Sequence, residues 1–108
     1  MALTIKTLAA GTKTATDDLY PVPANKSAVV YGIRLVNNGS NPATINLYAR
    51  PSGGPDWRIY EKDYSLAAGA MVLVDDPLTL GAGEKVRLGI SGSSPSLHFM
   101  ISGVERDT

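Results

Sequence analysis

Cysteine is missing from the chain, and histidine, tryptophan and phenylalanine occur once each among 108 residues. The lack of thiols excludes disulfide scaffolds, thiolate nucleophiles and the usual structural zinc sites, so stability has to come from packing and backbone hydrogen bonds. An excess of either charge is also missing, because ten basic residues cancel ten acidic ones. No long-range field then draws the protein to phosphate backbones or anionic membranes, and neither nucleic acid nor membrane is an expected partner. The stretch Met1-Ala2-Leu3-Thr4-Ile5-Lys6-Thr7 alternates polar and apolar residues. It lacks the charged start and continuous apolar run of a secretory signal and predicts a strand or an arm.

The scarcity extends to chemistry. A Ser-His-acid triad has only His98 to draw on, no Gly-x-Ser-x-Gly elbow occurs, and alternation aims His98 opposite to Leu97 and Phe99. The expectation is a surface or subunit-contact histidine. Asp17-Asp18 and Asp75-Asp76 are adjacent pairs whose members point to opposite faces of an extended chain, so neither pair is itself a hydrolytic dyad. The same loop carboxylates suit a calcium ion in type, but no Asp-x-Asp-x-Asp-Gly run is present, and turn formation and solubility account for them. Gly81-Ala82-Gly83-Glu84-Lys85-Val86 begins like a dinucleotide fingerprint but lacks the third glycine and leads into a strand pattern. Catalysis and bound cofactors or metals are therefore not expected.

What the chain does contain is period-two alternation in short runs divided by Gly, Pro, Asn and Asp. In Ala28 to Val36, strict alternation puts Val29, Tyr31, Ile33 and Leu35 on one face, with Val30, Gly32, Arg34 and Val36 on the other. Thr44 to Arg50 follows as a strand with one wet face. Lys85 to Ile90 and Leu97 to Ser102 form two more, expected to pair through Gly92-Ser93-Ser94-Pro95. Weaker strands are expected at Leu3 to Leu8, Asp18 to Val22, Arg58 to Tyr60 and Met71 to Val74, with Pro21 and Pro23 confining theirs to a sheet edge. Tyr64 to Val74 holds the residues most tolerant of helix, but Gly69 and the run Val72 to Val74 favour strand.

An internal echo links Leu66-Ala67-Ala68-Gly69-Ala70-Met71-Val72 to Leu80-Gly81-Ala82-Gly83-Glu84-Lys85-Val86. Each predicts strand, tight turn, strand, with glycine supplying a positive φ and the leucine plugging the end of a core. The whole predicts a single all-β domain over residues 1–108: an antiparallel two-sheet β-sandwich of about eight short strands, jelly-roll or immunoglobulin-like. Residues 1–10 are either an N-terminal arm or an edge strand, and Leu3, Ile5 and Leu8 are candidates to pair with a neighbour's sheet edge or with their own. Trp57, Tyr60 and Tyr64 are the one aromatic concentration. They either stack on a sugar or anchor a partner, or Trp57 closes one end of the sandwich.

The order Val22-Pro23-Ala24-Asn25-Lys26-Ser27-Ala28-Val29-Val30, then Ile33-Arg34-Leu35-Val36-Asn37, then Ala43-Thr44-Ile45-Asn46-Leu47-Tyr48 resembles small virion proteins of tailed bacteriophages. The likeness runs on through Leu66-Ala67-Ala68-Gly69, Leu80 to Leu88 and Ile101-Ser102-Gly103-Val104-Glu105. It implies a non-enzymatic virion subunit: a capsid decoration or cement protein, or a small head, tail or fibre component assembled in the host cytoplasm. Such a protein is expected to form a homo-oligomer, with a trimer favoured, and to bind a major capsid or tail protein at many equivalent sites, where multivalency makes modest contacts add up. The alternative role is a carbohydrate-binding or host-adhesion module using Trp57, Tyr60 and Tyr64 around Gly53-Gly54.

Overall fold

A computed structural model describes residues 3–107 and contains strands and no helix. The strands are β1 (Leu3–Lys13), β2 (Asp17–Pro21), β3 (Lys26–Asn37), β4 (Ala43–Arg50), β5 (Trp57–Arg58), β6 (Tyr64–Leu66), β7 (Met71–Val74), β8 (Leu78–Leu80), β9 (Lys85–Gly92) and β10 (Leu97–Asp107). They form two five-stranded sheets. The first runs β1-β10-β3, with β7 and β8 sharing the far side of β3; the second runs β2-β9-β4, with β5 and β6 sharing the far side of β4. Ten strands thus fill eight positions, because two edge positions are each broken in half.

All pairings are antiparallel, and they nest. The first strand pairs with the last, the second with the ninth, the third with the eighth and seventh, and the fourth with the sixth and fifth. A long hairpin rolled so that successive pairs fall in alternate sheets gives this pattern, which is the jelly roll and not the immunoglobulin arrangement. It also corrects one expected pairing. β9 and β10 do not form a hairpin: β9 lies between β2 and β4 in the second sheet, and β10 lies between β1 and β3 in the first. The Ser93–Ser96 connection therefore crosses between sheets.

The echoed Leu-x-x-Gly segments do the same. Each closes a four-residue turn, Ala70 N–H to Ala67 C=O and Glu84 N–H to Gly81 C=O, with Gly69 at φ 78° and Gly83 at φ 79° in third place. A type II turn demands a positive φ there. One turn carries β6 of the second sheet to β7 of the first, and the other carries β8 of the first to β9 of the second. Leu66 and Leu80, immediately before the turns, are buried at the ends of the core.

Between the sheets, Val30, Ile33, Leu35, Leu97 and Ile101 of the first meet Ile45, Leu47, Val86 and Leu88 of the second, all essentially inaccessible to water. Their burial supplies most of the driving force, at about 25 cal/mol per Å² of apolar surface removed from water. Three bulges interrupt the alternation. At Leu8 and Leu19 they turn two consecutive residues inward, Leu8 with Ala9 and Leu19 with Tyr20. At Tyr31 the extra residue shifts parity, so Ala28, Val30, Ile33 and Leu35 face the core while Val29 and Tyr31 face out. Strict alternation had grouped Val29 and Tyr31 with Ile33; the bulge separates them.

Candidate functional site

The two outer faces of the sandwich carry different chemistry. On the second sheet, the outward positions of β4 and β9 are Thr44, Asn46, Tyr48, Arg50, Lys85 and Arg87, and nearly all are tied to a partner. Asp18 on β2 accepts from Arg87 at 2.7 Å and from Lys85 at 3.3 Å. Partial burial alone would raise the Asp18 carboxyl, but those hydrogen bonds outweigh it and hold it below its ordinary value. Asp56 extends the chain of charges, 3.7 Å from Arg87 and 3.8 Å from Arg50. Farther along, the Asn46 carbonyl accepts from the Asp63 backbone N–H at 2.9 Å and from Arg58, whose guanidinium lies 5.1 Å from the centre of the Tyr48 ring.

The first sheet's outer face has no such network. Its outward residues include Ile5 on β1, Val29, Tyr31, Arg34 and Val36 on β3, Met71 and Leu73 on β7, Thr79 on β8, and His98, Met100, Val104 and Arg106 on β10. Register aligns them in rows: Ile5, Val104, Val29 and Thr79 at one end, and Met100, Arg34 and Leu73 toward the other. Tyr31, Met71, Leu73 and Met100 are 45–54% exposed and Ile5 is 86% exposed. The five strands hold two acids, Glu105 and Asp107, and both share the inward parity of Ile101. Arg34, Arg106 and His98 are exposed with no acidic partner among the described residues.

Two hollows indent this face. One, of about 310 Å³, is lined by Ser27, Val29, Thr79, Val104 and Arg106. A smaller one, of about 80 Å³, lies among Gly32, Arg34, Leu73, Met100 and Ser102, where glycine and serine leave space between larger neighbours. Each therefore joins apolar walls to one uncompensated arginine. Such a surface suits contact with another protein, since large exposed apolar patches with arginine are enriched at interfaces.

The residues singled out from sequence scatter. Leu3 pairs through its backbone with Arg106, and its side chain lies outside the described residues. Ile5 belongs to the first sheet's outer face, whereas Leu8 turns inward at its bulge and packs on the core. β1 is an edge strand of its own sheet, paired on one side with β10. Trp57 does not close the sandwich: it is 62% exposed on the short β5. Tyr60 and Tyr64 pack against the core and meet edge to face at 5.2 Å, so the three rings form no flat platform. His98 lies on the first sheet's outer face. Among the described residues no three His, Asp or Glu side chains gather as a metal site requires.

One buried polar cluster lies between the sheets. Glu105, 5% exposed, accepts from the Tyr20 hydroxyl and pairs with Lys6 at 2.7 Å. Burial would raise the Glu105 carboxyl, but the bonds from Lys6 and Tyr20 hold it below its ordinary value. Burial first, and then the adjacent carboxylate, push the Tyr20 phenol well above its own. Every oxygen in the cluster is committed, which makes it an internal strut tying β1, β2 and β10 together. Linear alternation does not bring Tyr31, Met71, Leu73, Met100 and the two arginines together, because their common face exists only once the strands are ordered.

No protein-family model matches the chain, and no curated protein matches it in sequence. Several solved structures resemble it in shape. A chain of infectious bursal disease virus, Gx strain, aligns at TM-score 0.47 and 12% identity over 96% of this chain, which spans 32% of the viral chain. A chain from the acid-stable capsid of a Helicobacter pylori bacteriophage aligns at TM-score 0.49 and 11% identity, covering 99% of this chain and all of that one. An exo-beta-1,3-galactanase of Phanerochaete chrysosporium aligns at TM-score 0.40 and 18% identity over 94% of this chain and 29% of its own. At these identities and scores none of the likenesses bears on what the chain does.

Proposed function

We propose that this chain is a non-enzymatic structural subunit of a phage virion, a capsid decoration or head-tail accessory protein that self-associates and attaches to the particle. The observation that carries this reading is the first sheet's outer face, where Ile5, Tyr31, Met71, Leu73 and Met100 stand exposed beside arginines with no carboxylate among them. A free monomer gains nothing from such a face, whereas a lattice subunit uses it to bury apolar area against a neighbour. The jelly roll supports the role as a fold widely used for capsid domains, without by itself assigning it. The sequence likeness to small tailed-phage virion proteins adds a second support. Sedimentation velocity of the purified chain across a range of concentrations tests it: a discrete homo-oligomer is expected, with a trimer favoured, and a strict monomer throughout would overturn self-association.

The exposure of Trp57 supports a second role, adhesion to a carbohydrate. One exposed ring can stack on one sugar face. Glycan-array binding that is lost in Trp57→Ala would favour this role; an array with no signal for either form would remove it.

A further inference from the structure

Building on the self-association proposed above, the charges left over after internal pairing point to the surfaces involved. Lys6, Lys13, Lys26, Arg50, Lys85 and Arg87 all pair with carboxylates inside the subunit. Arg34, Arg58, Lys62 and Arg106 have no such pair among the described residues. Arg58 and Lys62 share the stretch 58–63 with Glu61 and Asp63, whereas Arg34 and Arg106 lie on the first sheet's outer face, away from any outward carboxylate of its strands. Among the acids, Asp75 and Asp76 are exposed and likewise have no partner among the described residues. They occupy the loop from β7 to β8, which continues into exposed Pro77. Apart from the mixed stretch 58–63, the exposed charge without an ion pair among the described residues is positive on this sheet face and negative on the β7–β8 loop.

We propose that the first sheet's outer face seats a second copy of this chain, which places its Asp75-Asp76-Pro77 loop beside Arg34 in the hollow between Leu73 and Met100. The fit is chemical at both ends. The hollow offers a guanidinium, able to hold a carboxylate through two parallel hydrogen bonds, flanked by a leucine and a methionine. The loop offers two carboxylates followed by a rigid, apolar proline that loses little freedom on docking. Carboxylate from a neighbour supplies what the face lacks, and the apolar residues around it exclude water from the pair. The molecule's two longer dimensions, 45 and 26 Å, leave room for the ~800 Å² per partner that a specific interface buries. Face and loop lie on the same subunit, so every copy both gives and receives, as a closed homo-oligomer requires.

The test is charge reversal with exchange. Arg34→Glu alone sets an acidic face against an acidic loop, and Asp75→Lys with Asp76→Lys sets a basic loop against a basic face. Each variant is expected to self-associate at least roughly tenfold more weakly than the native chain in sedimentation equilibrium at low salt. The triple variant carrying all three changes restores opposite charges at every contact whatever the number of subunits, and its association is expected to return. Mixing the two variants restores them wherever unlike copies meet, and mixed oligomers are expected where neither variant forms them alone. Recovery in the mixture also shows that both variants are folded. Self-association that ignores the reversals, or fails to return in the triple variant, would overturn the proposed pairing while leaving self-association itself standing. A native chain that is monomeric throughout would overturn both.

Discussion

The two sheets share a core and differ on the outside. Their inner faces are interchangeable in kind: Ile33, Leu35 and Ile101 from one side and Ile45, Leu47 and Leu88 from the other are aliphatic, fully buried and mutually packed. Outside, the second sheet satisfies itself, with Asp18, Arg87, Lys85, Asp56 and Asn46 joined in hydrogen bonds and ion pairs. The first sheet leaves Tyr31, Leu73 and Met100 bare and Arg34 unanswered. The fold needs both inner faces equally, but only one outer face is finished within the subunit. Among the described residues the exposed large apolar side chains gather on the first sheet's outer face, apart from Trp57 on β5, and that surplus is what the proposed association would bury.

The largest expected effect strikes the seam that makes the first sheet possible. Gly103 sits where β10 passes the β3 bulge, and a Cβ added there would stand 2.1 Å from the Val29 carbonyl oxygen and 3.0 Å from a Leu8 methyl. Backbone cannot yield as a flexible side chain can, so Gly103→Ala forces β3 and β10 apart. A loss of at least ~3 kcal/mol in urea unfolding is expected. Next come Leu35→Ala and Leu47→Ala, one in each sheet, each expected to cost about 2–5 kcal/mol. Similar losses from the two would sharpen the equivalence of the inner faces. A loss that falls outside this range in one sheet alone would break it.

Much of this asymmetry lies beyond a linear reading of the chain. Alternation in Leu97 to Ser102 correctly separates Phe99 and Ile101 from Met100, because β10 runs without a bulge there. In β3 the same method fails before Ile33, since the bulge at Tyr31 depends on how closely Gly103 of another strand can approach. The two Leu-x-x-Gly turns are visible as turns, but turn chemistry does not say that each leads into the opposite sheet. The β9–β10 connection misleads for the same reason: local signals mark a reversal and leave its partner open. Asn37 shows a further limit. It is fully buried, donates to the carbonyls of Asn41 and Leu66 and accepts from the Gly39 N–H, although nothing in its sequence neighbourhood distinguishes it from the turn residues that follow.

The strut between the sheets sets an intermediate effect and a pH dependence. Glu105 has a folded value below its ordinary 4.5, so its contribution is fully present above that value and is lost as pH falls through the lower folded one. Glu105→Gln is expected to cost about 1–3 kcal/mol at neutral pH, since the Tyr20 hydroxyl and Lys6 lose an ionised acceptor. It should also flatten the acid limb of the stability curve measured by denaturation at successive pH values. Tyr20 acts at the opposite end. Its raised folded value keeps the phenol neutral, so its contribution is intact below 10.0 and declines as pH rises toward the folded value. An acid limb as steep in Glu105→Gln as in the native chain would assign that loss to the exposed ion pairs instead.

The smallest effects separate the outer faces most directly. Asp18→Asn removes the negative charge and one of the two acceptor oxygens that Arg87 and Lys85 share, in a partly exposed pair of contacts, and is expected to cost up to ~1 kcal/mol in dilute solution. Because these are charges near water, that cost should shrink as salt is raised from 10 mM toward 1 M. Met100→Ser on the other face should change the stability of the dilute chain by less than ~0.5 kcal/mol at any salt concentration, since the side chain already meets water. At high protein concentration the two should trade places: Asp18→Asn leaves association unaltered, while Met100→Ser weakens it by removing apolar area from the contact. If Met100→Ser proved as costly in dilute solution as Leu35→Ala, Met100 would be supporting the subunit's own fold, and the first sheet's outer face would have no surplus surface to offer a neighbour.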